Sequence, residues 1–385
     1  MRIAVLKERR AHEKRVAATP DTVKKLIGLG AEIVVEHDAG EASATPDEQF
    51  TAAGASIAPD PAAAVKDADI VLKVQRPLTP AEGAVDEIAG MKAGALLIGL
   101  LAPYANKAQM EDYAKRGIVA FAMELLPRIS RAQSMDVLSS QANLAGYKAV
   151  LDAAAEFGRA FPMMMTAAGT VAPAKVLVMG AGVAGLQAIA TARRLGAIVS
   201  ATDVRLAAKE QVESLGGKFV MVEDEESKQA ETAGGYAKEM SDAYKQKQAA
   251  LIRETLKKQD IAICTALIPG RPAPVLISPD MVAEMRPGSV VVDLAVEQGG
   301  NCPLSKPGEV VVTENGVKIV GHLNVPSRLA VDSSALYAKN LLNFLGLLID
   351  KKDKAIKLDW NDEIVKGTAL TRDGAVVHPQ FAAKG

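Results

Sequence analysis

Two α/β domains, each built on a parallel sheet, are what this 385-residue sequence predicts. Three observations point there. Short apolar runs alternate with amphipathic segments through the first 125 residues, the pattern of strand–helix–strand units. A second alternation of the same kind begins at Val176. The chain is also longer than one hydrophobic core ordinarily serves.

In the first domain, strands are expected at 2–6, 32–36, 69–74, 95–100 and 117–121. Thr19-Pro20 opens a helix, with Thr as N-cap and Pro at the first helical position, and Gly28 or Gly30 closes it. Further helices are expected near 46–53, 79–91 and 106–115. Residues 135–157 read as one long helix, followed by a loop from Phe161 to Pro173. The second domain has expected strands at 175–179, 197–202, 218–222, 260–265, 289–293 and 317–320. A last amphipathic helix, 332–349, follows Val325-Pro326-Ser327 and is expected to cross back, so that the tail completes the first domain. The expected division is therefore 1–130 plus 330–385, and 131–329, with the two crossings flanking a cleft. The apolar face Leu341 to Leu348 is either core or a contact between two copies.

Composition narrows the function. There are 45 basic and 46 acidic residues, a net charge of −1, which argues against nucleic acid as a partner. The two cysteines, Cys264 and Cys302, form no paired motif and fit a reducing cytoplasm. The chain enters a strand directly after Met1, with no signal-peptide pattern. No uncharged stretch makes a plausible membrane span, so work at a membrane would need another chain. Metal motifs of the His-Glu-x-x-His, paired Cys/His or EF-hand kind are absent from the sequence, so no metal is expected.

The most informative segment is Gly180-Ala181-Gly182-Val183-Ala184-Gly185, directly after Val176-Leu177-Val178-Met179. Each glycine has a mechanical job in holding a dinucleotide. Gly180 permits the tight turn, Gly182 lets backbone approach a pyrophosphate, and Gly185 lets the helix, expected over Leu186 to Leu195, pack on the sheet. The helix N-terminus offers N–H groups and a positive dipole end. Asp203 ends the next apolar run, placed to accept from ribose hydroxyls and to repel a 2′-phosphate; Val204 follows, and Arg205 can partly offset the repulsion. The fold class is thus two Rossmann-like α/β domains with parallel sheets and an NAD cleft between them. Thr265-Ala266-Leu267 follows the strand at 260–264 and is expected to line the pocket, as is Asn324.

A second group lies between the domains. Arg128, Ile129, Ser130, Arg131, Gln133, Asp136 and Ser139 put guanidinium, amide, carboxylate and hydroxyl groups in one short span after a strand. Ser134 or Asp136 is also a natural cap for the long helix. A third feature is the polar segment 223–248 with Gly234-Gly235-Tyr236; so long a polar stretch inside a domain reads as a functional lid.

Taken together, the stretch Arg128 to Tyr147, the Gly180–Gly185 turn with Asp203-Val204-Arg205, and Gly234-Gly235-Tyr236-Ala237-Lys238-Glu239-Met240 resemble the NAD(H)-binding component of proton-translocating NAD(P) transhydrogenase. The opening Lys7-Glu8-Arg9 and Arg15 to Pro20 are similar in that family and in alanine dehydrogenase. The resemblance implies an AB-stereospecific (si–re) transhydrogenase, active with partner components. Hydride passes directly between NADH here and NADP(H) held on a partner, coupled to proton movement through a membrane-spanning component. It implies a homodimer in the cytoplasm, peripheral to the inner membrane through those partners. It assigns the nicotinamide end to Arg128, Asp136 and Ser139, and the reach toward the facing ring to Gln133. Ile129, Ser130, Arg131, Gly180, Gly182, Val183, Ala184, Gly185, Asp203, Val204, Arg205, Gly235, Tyr236, Ala266 and Leu267 complete the implied cofactor contacts. Hydride transfer between two nicotinamides releases no O–H or N–H proton, so this chemistry asks for positioning and dryness rather than an acid–base dyad.

Two other readings compete. A stand-alone dehydrogenase like alanine dehydrogenase moves a proton too and needs an acid–base group. The resemblance implies a histidine for it after the Lys73 strand, and Leu100 stands near that position. His12, His37, His322 and His378 are read as structural or solvated. A regulatory NAD-sensing module would need no catalysis, and the Arg128–Asp136 loop speaks against it.

Overall fold

The computed structural model describes residues 1–83, 85–222, 241–268 and 270–382. They form two compact units, one of residues 1–141 and 326–385, the other of 142–325.

In the first unit, β1 (Arg2–Val5), β2 (Glu32–Glu36), β3 (Ser56–Ala58), β4 (Ile70–Gln75), β5 (Leu96–Leu100) and β6 (Val119–Ala122) make a six-stranded sheet in the order β3-β2-β1-β4-β5-β6. All its pairings are parallel. Parallel strands are covered on both faces, which is why Ile70, Val71, Leu72 and Val74 run on without a polar break except Lys73. The helix Pro20–Gly28 starts as its sequence dictates: the Thr19 hydroxyl accepts from Thr22 N–H, and the Thr22 hydroxyl accepts from Thr19 N–H.

The tail closes this unit. Tyr337, Phe344, Leu345 and Leu348 of the helix Ala330–Leu348 are fully buried, so the apolar face around Leu341 is core. Phe121 of β6 meets Phe344 edge-on at 5.6 Å and stacks on Trp360 at 6.2 Å. Thr371 accepts from Ala120 N–H at 2.9 Å and donates to the Ile118 carbonyl at 2.7 Å, sealing the open edge of the sheet.

The helix expected over 79–91 does not form; its described residues are turns and irregular backbone. The Glu87 carboxylate is buried and accepts from Leu78 N–H, Arg9 and Lys73. Glu82 is likewise taken by Arg10, Arg76 and Thr79. The backbone wraps around these carboxylates instead of satisfying itself.

In the second unit, the stretch 161–173, expected as a loop, carries a hairpin, β7 (Met164–Thr166) and β8 (Gly169–Val171). Met163 and Met165 are 60% and 78% exposed there, so no burial pattern marks it as strand. The sheet of this unit has β9 (Lys175–Met179), β10 (Ile198–Thr202), β11 (Lys218–Phe219), β12 (Ile261–Cys264), β13 (Val290–Asp293), β14 (Val310–Val312) and β15 (Lys318–Val320). Their order is β11-β10-β9-β12-β13-β15-β14, parallel except for the antiparallel edge strand β14. Setting β14 aside, both sheets follow the doubly wound order 3-2-1-4-5-6, with a switch point between the first and fourth strands. No described helix is long and apolar enough to cross a membrane.

Candidate functional site

In the second unit, the switch point is built by the turn after β9 and the segment after β12. Gly180 has φ +104, and a Cβ there would lie 2.5 Å from the Thr265 hydroxyl oxygen. A Cβ on Gly185 would lie 1.8 Å from the Gly180 carbonyl oxygen. The helix starts at Val183, a turn earlier than expected, because Gly182 serves as its N-cap. No side chain caps this end, which leaves the first N–H groups for an anion. Thr265 donates to the Gly180 carbonyl at 3.1 Å and braces the turn from the neighbouring strand.

Asp203 ends β10 beside this turn, its side chain 7% exposed. Burial alone would raise its pKa; the Arg205 guanidinium and the N–H groups of Ala181 and Arg205 overcome that and hold the carboxylate below its ordinary range. Val183, Val204, Leu267 and Ile268 are exposed apolar side chains at the C-terminal ends of β9, β10 and β12. An anion seat, a buried carboxylate and apolar walls are what an adenine dinucleotide requires.

The sequence reading missed Asn301. It is fully buried; its Oδ1 accepts from Ala266 N–H at 3.2 Å and its Nδ2 donates to the Ala266 carbonyl at 2.9 Å. One side-chain amide thus fixes both backbone groups of the residue before Leu267. Only the preceding Gly299-Gly300 signals it in the sequence. Asn324, half-buried, donates its N–H to Glu297.

In the first unit, residues Ser130–Met135 form a 3-10 helix after β6. Ala132 and Met135, three apart and therefore on one side, are buried; Gln133 and Ser134 face out. Asn340 and Asn343 both donate to the Ser134 carbonyl at 2.9 Å, pinning the loop. Asp136 caps the helix Val137–Glu156, accepting from Ser139 N–H at 2.9 Å and the Ser139 hydroxyl at 2.6 Å. Arg128 and Ser130 are exposed and Ile129 is half-buried. Arg131 differs, since Asp362 takes its guanidinium at 2.6 and 3.0 Å. Gly235, Tyr236 and most of the expected lid lie outside the described residues.

At the foot of this loop, burial pushes the Glu124 carboxyl up from 4.5 to about 7. Its Oε1 accepts from Ala102 N–H, while Oε2 has no partner. The folded carboxyl keeps its proton up to about pH 7 where the unfolded one loses it near 4.5. Stability therefore falls as pH rises across that window and levels off above it. The Glu124→Gln variant is expected to flatten this slope and to be more stable than the parent at pH 8, by up to about 3 kcal/mol. Denaturant melts at pH 5 and 8 check it; parallel curves for the two proteins would refute it.

The switch point of the first unit, at the ends of β1 and β4, is filled with charge. Glu8 accepts from Val74 N–H at 2.7 Å and Gln75 N–H at 3.3 Å. Burial raises its carboxyl to about 7, against the pull of Lys73. Lys73 is fully buried and donates to both Glu87 oxygens and to the Lys7 carbonyl, which uses all three of its protons. Arg15 is bonded to Glu13 and Gln141. Leu100 ends β5. On the surface, His37 Nδ1 lies 2.6 Å from Asp47, and Asp38 has the Lys7 ammonium 3.4 Å away.

A doubly wound sheet with a glycine turn at its switch point and a carboxylate ending the next strand defines an NAD-binding oxidoreductase fold. The models for the N-terminal and C-terminal domains of alanine dehydrogenase/PNT match residues 4–145 and 149–379. An NAD(P) transhydrogenase subunit alpha chain of Rhodospirillum rubrum is 62% identical over 385 residues, all of both chains. The crystal structure of transhydrogenase from Sinorhizobium meliloti superposes with TM-score 0.88 at 55% identity, covering 98% of this chain and 100% of that one. Alanine dehydrogenase of Halomonas elongata is more distant, 31% identical over 91% of this chain and 88% of its own. The chain belongs to the alanine dehydrogenase/PNT family.

Proposed function

We propose that this chain is the NAD(H)-binding component of a proton-translocating transhydrogenase, exchanging hydride with NADP(H) held on a partner component. The observation that carries this reading is the state of the first unit's switch point. An amino-acid dehydrogenase must bind an oxo acid and move a proton. Here Lys73 is spent on Glu87, Arg15 on Glu13 and Gln141, and position 100 is leucine. The full-length likeness to a transhydrogenase subunit supports the same conclusion.

The cofactor supplies the hydride when bound; the protein's work is to hold, orient and keep dry. The N–H groups at Val183–Gly185 and the helix dipole receive the pyrophosphate. Asp203 receives the adenosine ribose, with Val204, Arg205, Ala266 and Leu267 beside it. Arg128, Asp136 and Ser139 hold the nicotinamide end, and Ile129, Ser130 and Arg131 complete that loop. Gln133 faces the partner's nucleotide. No group need take a proton in the step, which suits amide, hydroxyl and guanidinium chemistry.

The NADP(H)-binding component and a membrane-spanning component complete the enzyme, and the chain works in the cytoplasm, at the inner membrane, through them. It acts as a homodimer, and the exposed Met163–Met165 edge is the apolar surface that would be covered. Affinity capture from solubilised membranes tests this: both partner components are expected to co-purify, and capture of neither would refute it. Asp203 should make NADH bind more tightly than NADPH by at least about tenfold, since a buried carboxylate facing a 2′-phosphate is costly. Fluorescence titration of both cofactors checks this, and equal affinities would remove Asp203 from its role.

A further inference from the structure

The Asp203 carboxylate is fully engaged before any nucleotide is considered. Oδ1 accepts from Arg205 N–H at 2.8 Å and from Arg205 Nε at 2.9 Å. Oδ2 accepts from Ala181 N–H at 2.7 Å and from Arg205 Nη2 at 3.1 Å. A carboxylate offers about four acceptor positions, and all four are used. The two backbone donors belong to the turn and to the strand end, and they fix the carboxylate in place. The other two come from one guanidinium whose side chain is 42% exposed, seated edge-on against a carboxylate that is 7% exposed. Arg205 Nη2 also lies 3.4 Å from the Ala181 carbonyl, so the guanidinium reaches across to the glycine turn.

A ribose diol needs two acceptor positions on this carboxylate. The only two that can be vacated without moving backbone are those the guanidinium holds. We propose that Arg205 is a specificity-determining residue, an internal competitor that the adenosine ribose must displace from Asp203 and that sets how strongly a 2′-phosphate is refused. The proposal rests on the reading of Asp203 as the ribose acceptor. While the pair is closed, the carboxylate is neutralised and a cation stands where a 2′-phosphate would arrive, so rejection of phosphorylated cofactors is blunted. When the ribose hydroxyls take the carboxylate, the guanidinium swings outward along its flexible stem. Arg205 thus works against NAD(H) and in favour of its 2′-phosphorylated counterpart, while Asp203 works the opposite way.

The test uses the full chain and its Arg205→Met variant, which keeps a long apolar stem and removes the charge. NADH and NADPH are titrated by fluorescence, 5′-AMP and adenosine 2′,5′-bisphosphate by calorimetry. Loss of the competitor should tighten NADH and 5′-AMP about two- to fivefold, the scale of a half-exposed ion pair. Exposure of the bare carboxylate should weaken NADPH and the bisphosphate by about tenfold or more. Arg205→Lys, with a cation but no fork, should fall between parent and Arg205→Met. Weaker NADH binding with unchanged bisphosphate binding would make Arg205 an ordinary cofactor ligand and overturn the proposal. No change in either would overturn it as well. Asp203→Ala separates the two levels: if it leaves NADH affinity unaltered, the ribose assignment fails and the proposal with it. If Asp203→Ala weakens NADH but Arg205→Met leaves the NADH/NADPH ratio at the parental value, the proposal alone fails.

Discussion

The Gln133→Asn variant should bind NADH as the parent does and transfer hydride to the partner's NADP⁺ roughly 100-fold more slowly. The loop geometry makes this a clean change. Ala132 and Met135 are buried on one side, and the Ser134 carbonyl is held by Asn340 and Asn343, so the backbone stays where it is. Gln133 points outward from this fixed frame. Removing one methylene withdraws only the amide, by about 1.5 Å. Misplacement of that order is enough to spoil a near-attack arrangement without weakening ground-state binding. Single-turnover kinetics with purified partner component checks it. Transfer at the parental rate would leave Gln133 as a solvated loop residue.

The second large effect is expected at Gly185. A Cβ at this position would sit 1.8 Å from the Gly180 carbonyl oxygen, and that neighbour is backbone, which cannot rotate away. Gly185→Ala must push the helix Val183–Arg194 off the turn. Overpacking of this kind costs about 1–3 kcal/mol or more. Because the displaced atoms are also those that receive the pyrophosphate, NADH affinity should fall by about 10- to 100-fold. Gly182→Ala is the control, since a Cβ there meets nothing within 4 Å. Calorimetry of NADH binding, with a thermal melt of each variant, measures both effects. Parental affinity in Gly185→Ala would show that the helix start does not seat the phosphates.

These two sites differ in how far the sequence could take them. The Gly180–Gly185 turn, the Thr19 cap and the strand alternation depend on neighbours within a few residues, so local rules located them. The cap at Asp136 was legible for the same reason, as one of two candidates. What escaped depends on partners far along the chain. Residues 79–91 have the length and polarity of a helix, but Glu87 is drawn into the core by Lys73 on β4 and by Arg9. Asn301 holds Ala266 from 35 residues away, and nothing local announces it. The face around Leu341 could not be assigned from its pattern, because core and interface helices carry the same apolar stripe; Phe121 and Trp360 decide it. The hairpin at 164–171 exposes its methionines and so lacks the alternation by which strands are recognised. Arg205 was visible as a neighbour of Asp203, but not that its guanidinium would take two of the four acceptor positions.

The central claim is that this chain passes hydride directly to a nucleotide on another component and reduces no small-molecule substrate itself. NADH deuterated at the transferred position of C4 tests it most directly, mixed with this chain and with the purified NADP(H)-binding component carrying NADP⁺. The account predicts deuterium in the NADPH formed, without exchange into water, and no NADH oxidation when pyruvate and ammonia replace the partner. NADH oxidation by pyruvate and ammonia in the absence of the partner, with no label reaching NADPH in its presence, would contradict it.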